Sequence, residues 1–159
     1  MTTKNTDLVA NFEATPQVAN SAAELAGVLR TAHGSVELAA GDSTDDDIVM
    51  LAPIPSNAAV PTLFVGSDTF GGSCTFNVGI YKTDGTVKDE DVFATSVADA
   101  AAMADVRYEA ADLNTGSQKL GELAGDSTDP GGYFYIAISF NATGGTAGTL
   151  NWNISYVVD

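Results

Sequence analysis

Basic residues, cysteine and histidine are all scarce in this chain, and each scarcity closes off a class of function. Six Lys and Arg stand against 21 Asp and Glu in 159 residues, a net charge of −15. Proteins that hold DNA or RNA draw most of their affinity from Lys and Arg neutralising phosphates, so the balance argues against nucleic acid as a partner. It argues equally against an anionic membrane surface. The single cysteine, Cys74, leaves no internal disulfide framework and no thiol metal site. It alternates with Phe76, Val78 and Ile80 and reads as a small core residue. The single histidine, His33 beside Gly34, reads as a satisfied or solvated side chain rather than the base of a nucleophile triad. No apolar run approaches the roughly 20 residues that span a bilayer. The N-terminal MTTKNTDLVANFEATPQ lacks the apolar run of a signal sequence, so synthesis in a cytoplasm without export is expected.

What the chain has is acid, glycine and alternation. The acid surplus gives a soluble, self-repelling surface, or one that meets a basic partner or divalent cations. The length suits one domain with a real core, and 16 glycines suit many turns. In Tyr133–Asp159, Phe134, Ile136, Ile138 and Phe140 alternate with Tyr133, Tyr135, Ala137 and Ser139. Leu150, Trp152, Ile154, Tyr156 and Val158 then alternate with Asn151, Asn153 and Ser155. Period-two alternation gives each run one apolar and one polar face. The loop around Gly144-Gly145 joins them as a predicted hairpin at the centre of an antiparallel sheet.

Further strands are predicted near residues 28–32 and at Ser35–Ala39, Ile48–Leu51, Ala59–Gly66, Ser73–Lys82 and Val106–Glu109. Pro53 and Pro55 are expected to end the third of these, since proline cannot donate to a ladder. Asp84-Gly85 predicts a tight turn after Lys82. Ser96 followed by the alanine-rich Val97–Ala104 predicts the one short helix. Eight or nine short strands with little helix read as an all-β, single-domain antiparallel sandwich of the jelly-roll kind, spanning residues 25–159. Residues 1–24 read as an arm with an apolar island, Leu8, Val9 and Phe12. Either it is a loose terminus, or it is an extended tail that orders when the island docks on a neighbouring subunit.

No catalytic constellation emerges. There is no G-x-S-x-G elbow and no phosphate-cradling loop; the glycine pairs sit between strands, where they serve turns. Two acidic clusters, Asp42, Asp45, Asp46 and Asp47, then Asp84, Asp89, Glu90 and Asp91, lack EF-hand spacing and read as solvated turns, with calcium the functional alternative. Tyr81, Tyr133 and Tyr135 form either a sugar-stacking platform or the cover of a second sheet face. No catalytic residue, cofactor site or metal site is assigned.

Several stretches, taken in order, resemble the head decoration, or cement, proteins of tailed bacteriophages. They are Ile48–Asn57 (IVMLAPIPSN), Phe76–Tyr81 (FNVGIY) before Asp84-Gly85, and Asp89–Ala94 (DEDVFA). Leu120-Gly121, Asp129-Pro130, Tyr133–Ile138 and Ala147–Tyr156 (AGTLNWNISY) complete the pattern. The resemblance implies a non-enzymatic β-rich virion protein on the capsid exterior, made in the host bacterial cytoplasm. Its implied partners are the major capsid protein and itself, as a homotrimer near a symmetry axis, with no nucleic acid and no membrane. Leu8, Val9 and Phe12 are then the candidate interface. Two rivals stand beside this: a carbohydrate- or receptor-binding sandwich of a phage tail or fibre, and a jelly-roll hydrolase.

Overall fold

Strands adjacent in sequence mostly part company in space. The computed structural model describes residues 6–21, 24–99, 102–108 and 113–158. Its elements in order are α1 (Asp7–Glu13), β1 (Leu29–Leu38), β2 (Ile48–Pro55), β3 (Ala58–Ser67), β4 (Thr75–Lys82), β5 (Val87–Ala98), β6 (Ala104–Asp105), α2 (Leu120–Leu123), β7 (Tyr133–Ala142) and β8 (Gly148–Val158). One sheet has the order β1-β8-β3-β6 and the other β2-β7-β4-β5, and every pairing is antiparallel. Two such sheets, with the chain crossing from one to the other at nearly every connection, make a jelly roll.

The core lies between the sheets. Phe134, Ile136, Ile138 and Phe140 of β7 share one apolar cluster with Leu150 and Ile154 of β8, Leu63 and Val65 of β3, and Phe76, Val78 and Ile80 of β4. Cys74 is buried there too, as its alternation predicted. Trp152 packs against the cluster's margin, opposite Gly34 on β1. A Cβ on Gly34 would stand 2.7 Å from the indole, so glycine makes room for the ring.

The predicted hairpin of β7 and β8 is not formed: each is a central strand of a different sheet. The connecting loop instead crosses the end of the sandwich and is pinned to its neighbours. Gly144 N–H donates to Ser43 O, and Gly145 and Thr146 N–H both donate to Phe70 O, all at 2.7 Å. Phe70 N–H donates to the Asp99 carboxylate at 2.7 Å. The Phe70 ring packs edge-on against Phe140 at 5.7 Å. A Cβ on Gly144 would meet Ser43 Oγ at 2.6 Å and Phe70 Cβ at 2.9 Å. Between consecutive described strands, only β4 and β5 form a hairpin. Their turn is the one Asp84-Gly85 predicted, with Gly85 at φ +87 and Lys82 N–H bonded to Thr86 O at 2.8 Å.

Other expectations need correction. Pro53 and Pro55 lie inside β2, which tolerates them because β2 is an edge strand whose outer side needs no donors. The segments predicted near 28–32 and at Ser35–Ala39 are one strand, β1. The helix predicted at Val97–Ala104 is absent where described. Val97 and Ala98 pair with Phe76 and Thr75, and Ala104 with Val65, so ladder bonds override alanine's helix propensity; residues 100–101 lie outside the described residues. The short strand is β6, slightly earlier than Val106–Glu109. The helices lie elsewhere, at α2 and at α1 within the arm.

β5 carries the strongest irregularity. Val78 faces Ala94 while Ile80 faces Asp89, so β5 spends extra residues over a two-residue step of β4, an insertion larger than the usual one-residue bulge. The slack rides over Gly79: a Cβ there would lie 2.2 Å from Asp89 O and 2.3 Å from the Glu90 carbonyl carbon. Backbone atoms have nowhere to yield. Gly79→Ala is therefore expected to lower stability by about 3 kcal/mol, the upper end of the usual overpacking cost. An unchanged urea midpoint for that variant contradicts this packing.

Candidate interaction surfaces

Exposed apolar side chains, rather than converging titratable groups, are what this surface offers. α1 buries none of its seven residues, and Asp7 sits in its first turn, where a carboxylate complements the helix dipole. Val9 and Phe12, three positions apart and hence neighbours on the helix surface, are 41% and 67% exposed. Leu8 is half-buried. The arm folds back on itself through polar bonds. Asn11 Nδ2 donates to Asn20 Oδ1 at 2.8 Å, Asn20 Nδ2 to Leu8 O at 3.2 Å, and Val18 N–H to Asn11 O at 3.1 Å. Val9 and Phe12 stay in solvent, and Val18, Leu25, Val28 and Leu29 continue the exposed series into β1.

The acidic clusters are occupied in making turns. Asp42 accepts the Ala39 N–H at 2.8 Å, and Asp47 accepts the Thr44 N–H at 2.8 Å and its hydroxyl at 2.5 Å. Asp84 accepts the Thr86 N–H at 2.9 Å. Such side chain-to-backbone bonds are the usual work of Asp in turns. Among the described residues no three His, Cys, Asp or Glu side chains converge as a metal ion would need.

The three tyrosines do not make one platform. Tyr81 is 1% exposed and Tyr133 59%, with Tyr135 half-buried. His33 is exposed on the outer face of β1, opposite Asn153. Burial pushes the Cys74 thiol above its usual pKa, which makes it a poor nucleophile. Among the described residues no helix is long and apolar enough to cross a membrane.

Sequence reasoning missed Arg107, which is fully buried. Its Nε donates to Val60 O at 2.9 Å, and one terminal nitrogen donates to both Thr115 O and Thr115 Oγ1 at 3.0 Å. The guanidinium lies 4.9 Å from the Phe93 ring centre and 5.0 Å from that of Tyr108, within cation–π range. It ties the β6–α2 connection to β3. In sequence its only signal was a lone cation beside Val106 and Tyr108.

With the geometry in place, comparison with known proteins bears on the fold. No family model matches the chain, and no curated protein matches it in sequence. Among solved structures, it is similar to a chain of the cyanophage Pam1 capsid asymmetric unit, with TM-score 0.52 and 14% identity over 84% of this chain and 86% of that one. It is also similar to a chain of the Ralstonia phage GP4 capsid, with TM-score 0.50 and 18% identity over 84% and 86%. At these identities the likeness shows the fold alone, a jelly roll. The matched chains are close to this one in length.

Three turn carboxylates are held below the ordinary Asp value of 3.8: Asp129 by the Ser56 hydroxyl and the Gly131 N–H, Asp47 by the Thr44 hydroxyl and N–H, and Asp84 chiefly by the Thr86 N–H. The unfolded chain therefore takes up these protons first as pH falls. The stability they contribute is present above about pH 4 and lost as pH drops through the folded values below 3.8. Urea unfolding followed from about pH 6 to about pH 3 is expected to show a shallower acid loss for Asp129→Asn than for the wild type. Comparing the two removes the general relief of charge repulsion that both share. Parallel curves contradict the assignment.

Proposed function

We propose that this protein is a bacteriophage head decoration, or cement, protein that binds the outer surface of the capsid and stabilises the lattice of major capsid protein. The observation that carries this reading is the fold likeness to chains of similar length in two phage capsids. The sequence resemblance points the same way, and it implies a homotrimer near a symmetry axis. The arm fits the task. Val9 and Phe12 hold apolar surface in solvent, with Leu8 beside them, and such surface gains most by docking on a neighbouring subunit. An outer coat also suits a net charge of −15, which keeps it soluble and away from packaged DNA.

The mechanism is mass action. A protein that binds the assembled, expanded shell and not its separated subunits stabilises the shell. Copies repeated across the lattice multiply a modest energy per site. A carbohydrate- or receptor-binding module of a tail or fibre is the rival, and it has one freely exposed tyrosine ring among the three, Tyr133, to offer.

Adding purified protein back to capsids of its phage that lack it tests the reading. Wild-type protein is expected to co-sediment with the shells and raise their melting temperature. Phe12→Asp changes an exposed residue and so leaves the free protein's stability within about 0.5 kcal/mol. Loss of an interface anchor, at about 1.4 kcal/mol or more, weakens binding at least about tenfold. Wild-type protein that leaves the shells unbound defeats the decoration reading. Equal binding by Phe12→Asp defeats the arm as the interface.

A further inference from the structure

The outer face of the β2-β7-β4-β5 sheet carries a recess of about 300 Å³ that the capsid reading does not use. Its floor is polar and comes from two adjacent central strands: Asn77 and Tyr81 of β4, and Ser139 and Asn141 of β7. Asn77 is 7% exposed, Ser139 6% and Tyr81 1%. Asn77 Oδ1 accepts the Ser96 N–H and an Asn141 Nδ2 hydrogen, each at 2.9 Å. The Ser139 hydroxyl lies beside the Tyr81 phenol without completing a hydrogen bond of normal geometry. Buried polar atoms left in that state are few in folded proteins, and each calls for an explanation.

The walls are acidic. Glu90 arrives on the β5 bulge that rides over Gly79, and Asp46 comes from the β1–β2 loop. Asp46 is fixed in a left-handed conformation, φ +70, with its N–H bonded to Phe140 O at 2.9 Å. Ile48 and Val87, 45% and 51% exposed, form apolar shoulders. Among the described residues that line the recess, none is basic.

We infer that this recess receives a cationic side chain, an arginine or lysine, from a protein partner. Such a side chain has an apolar stem for the shoulders and a charged head for the walls. A guanidinium presents several N–H donors in one plane, which the wall carboxylates can accept above the polar floor. With 21 acids against six bases, this chain's charge-complementary partner is basic.

The test is titration of an acetylated arginine amide into the isotope-labelled full chain, read by backbone amide NMR. It uses no capsid, so its outcome is separate from that of the decoration reading. Saturable shifts centred on Asn77, Ser139 and Asn141 are expected, and none with the uncharged citrulline analogue. Glu90→Gln is expected to weaken the response up to about fivefold, as the loss of one partly exposed charge pair does. Glu37→Gln, on the other sheet, is expected to leave it unchanged. Equal shifts with citrulline, shifts spread evenly over every acidic loop, or a Glu90→Gln response identical to the wild type would overturn the inference.

Discussion

The inner faces of two four-stranded sheets press on each other through one apolar cluster, and nearly everything else in the molecule follows from keeping those faces together. β7 and β8 supply the centre of the two facing sheets, so the chain between them must cross the end of the sandwich. That crossing fixes the loops. Phe70 buries its ring against Phe140 while its backbone oxygen holds the β7–β8 loop and its N–H is held by Asp99. Gly144 makes that approach possible, because any side chain there would strike Ser43 and Phe70. Both apolar contact and backbone bonding therefore close this end of the sandwich, which leaves the outer faces and the arm for other work.

The two outer faces differ in character. Outward residues of β1 and β8 such as His33, Ser35, Asn151 and Asn153 are exposed and polar. On the other sheet, the β5 bulge rides over Gly79, and Asn77, Tyr81, Ala137 and Ser139 are buried. A buried polar group costs stability unless it is hydrogen-bonded, and the Asn77–Asn141–Ser96 network meets that need for its members. Arg107 is the same problem at greater scale, met by backbone and hydroxyl acceptors and by two aromatic rings.

Much of the fold was legible in the sequence because it rested on period-two alternation and turn chemistry. Phe134 to Phe140 and Cys74 to Ile80 are core faces as their spacing predicted, and Asp84-Gly85 makes the turn its residues require. What alternation does not encode is which strand a strand pairs with. Gly144-Gly145 marks a reversal of the chain equally well for a hairpin and for a crossing between sheets, so the partners of β7 and β8 were misjudged. Pro53 looked like a stop for a related reason: an edge strand and a strand end tolerate proline equally. Val97 and Ala98 show local helix propensity yielding to ladder partners far along the chain. The surfaces were less legible. Leu8, Val9 and Phe12 stood out as an apolar island and remain exposed or half-buried, whereas Arg107, Gly79 and the polar recess depend on contacts between distant strands.

Capsid decoration requires that the protein be present in numbers set by the lattice. Quantitative mass spectrometry of purified virions, against the major capsid protein, measures that directly. The account predicts a copy ratio near one, or one in a few. A handful of copies per particle, or none, would contradict it, the first moving the protein to a tail or fibre and the second removing it from the virion altogether.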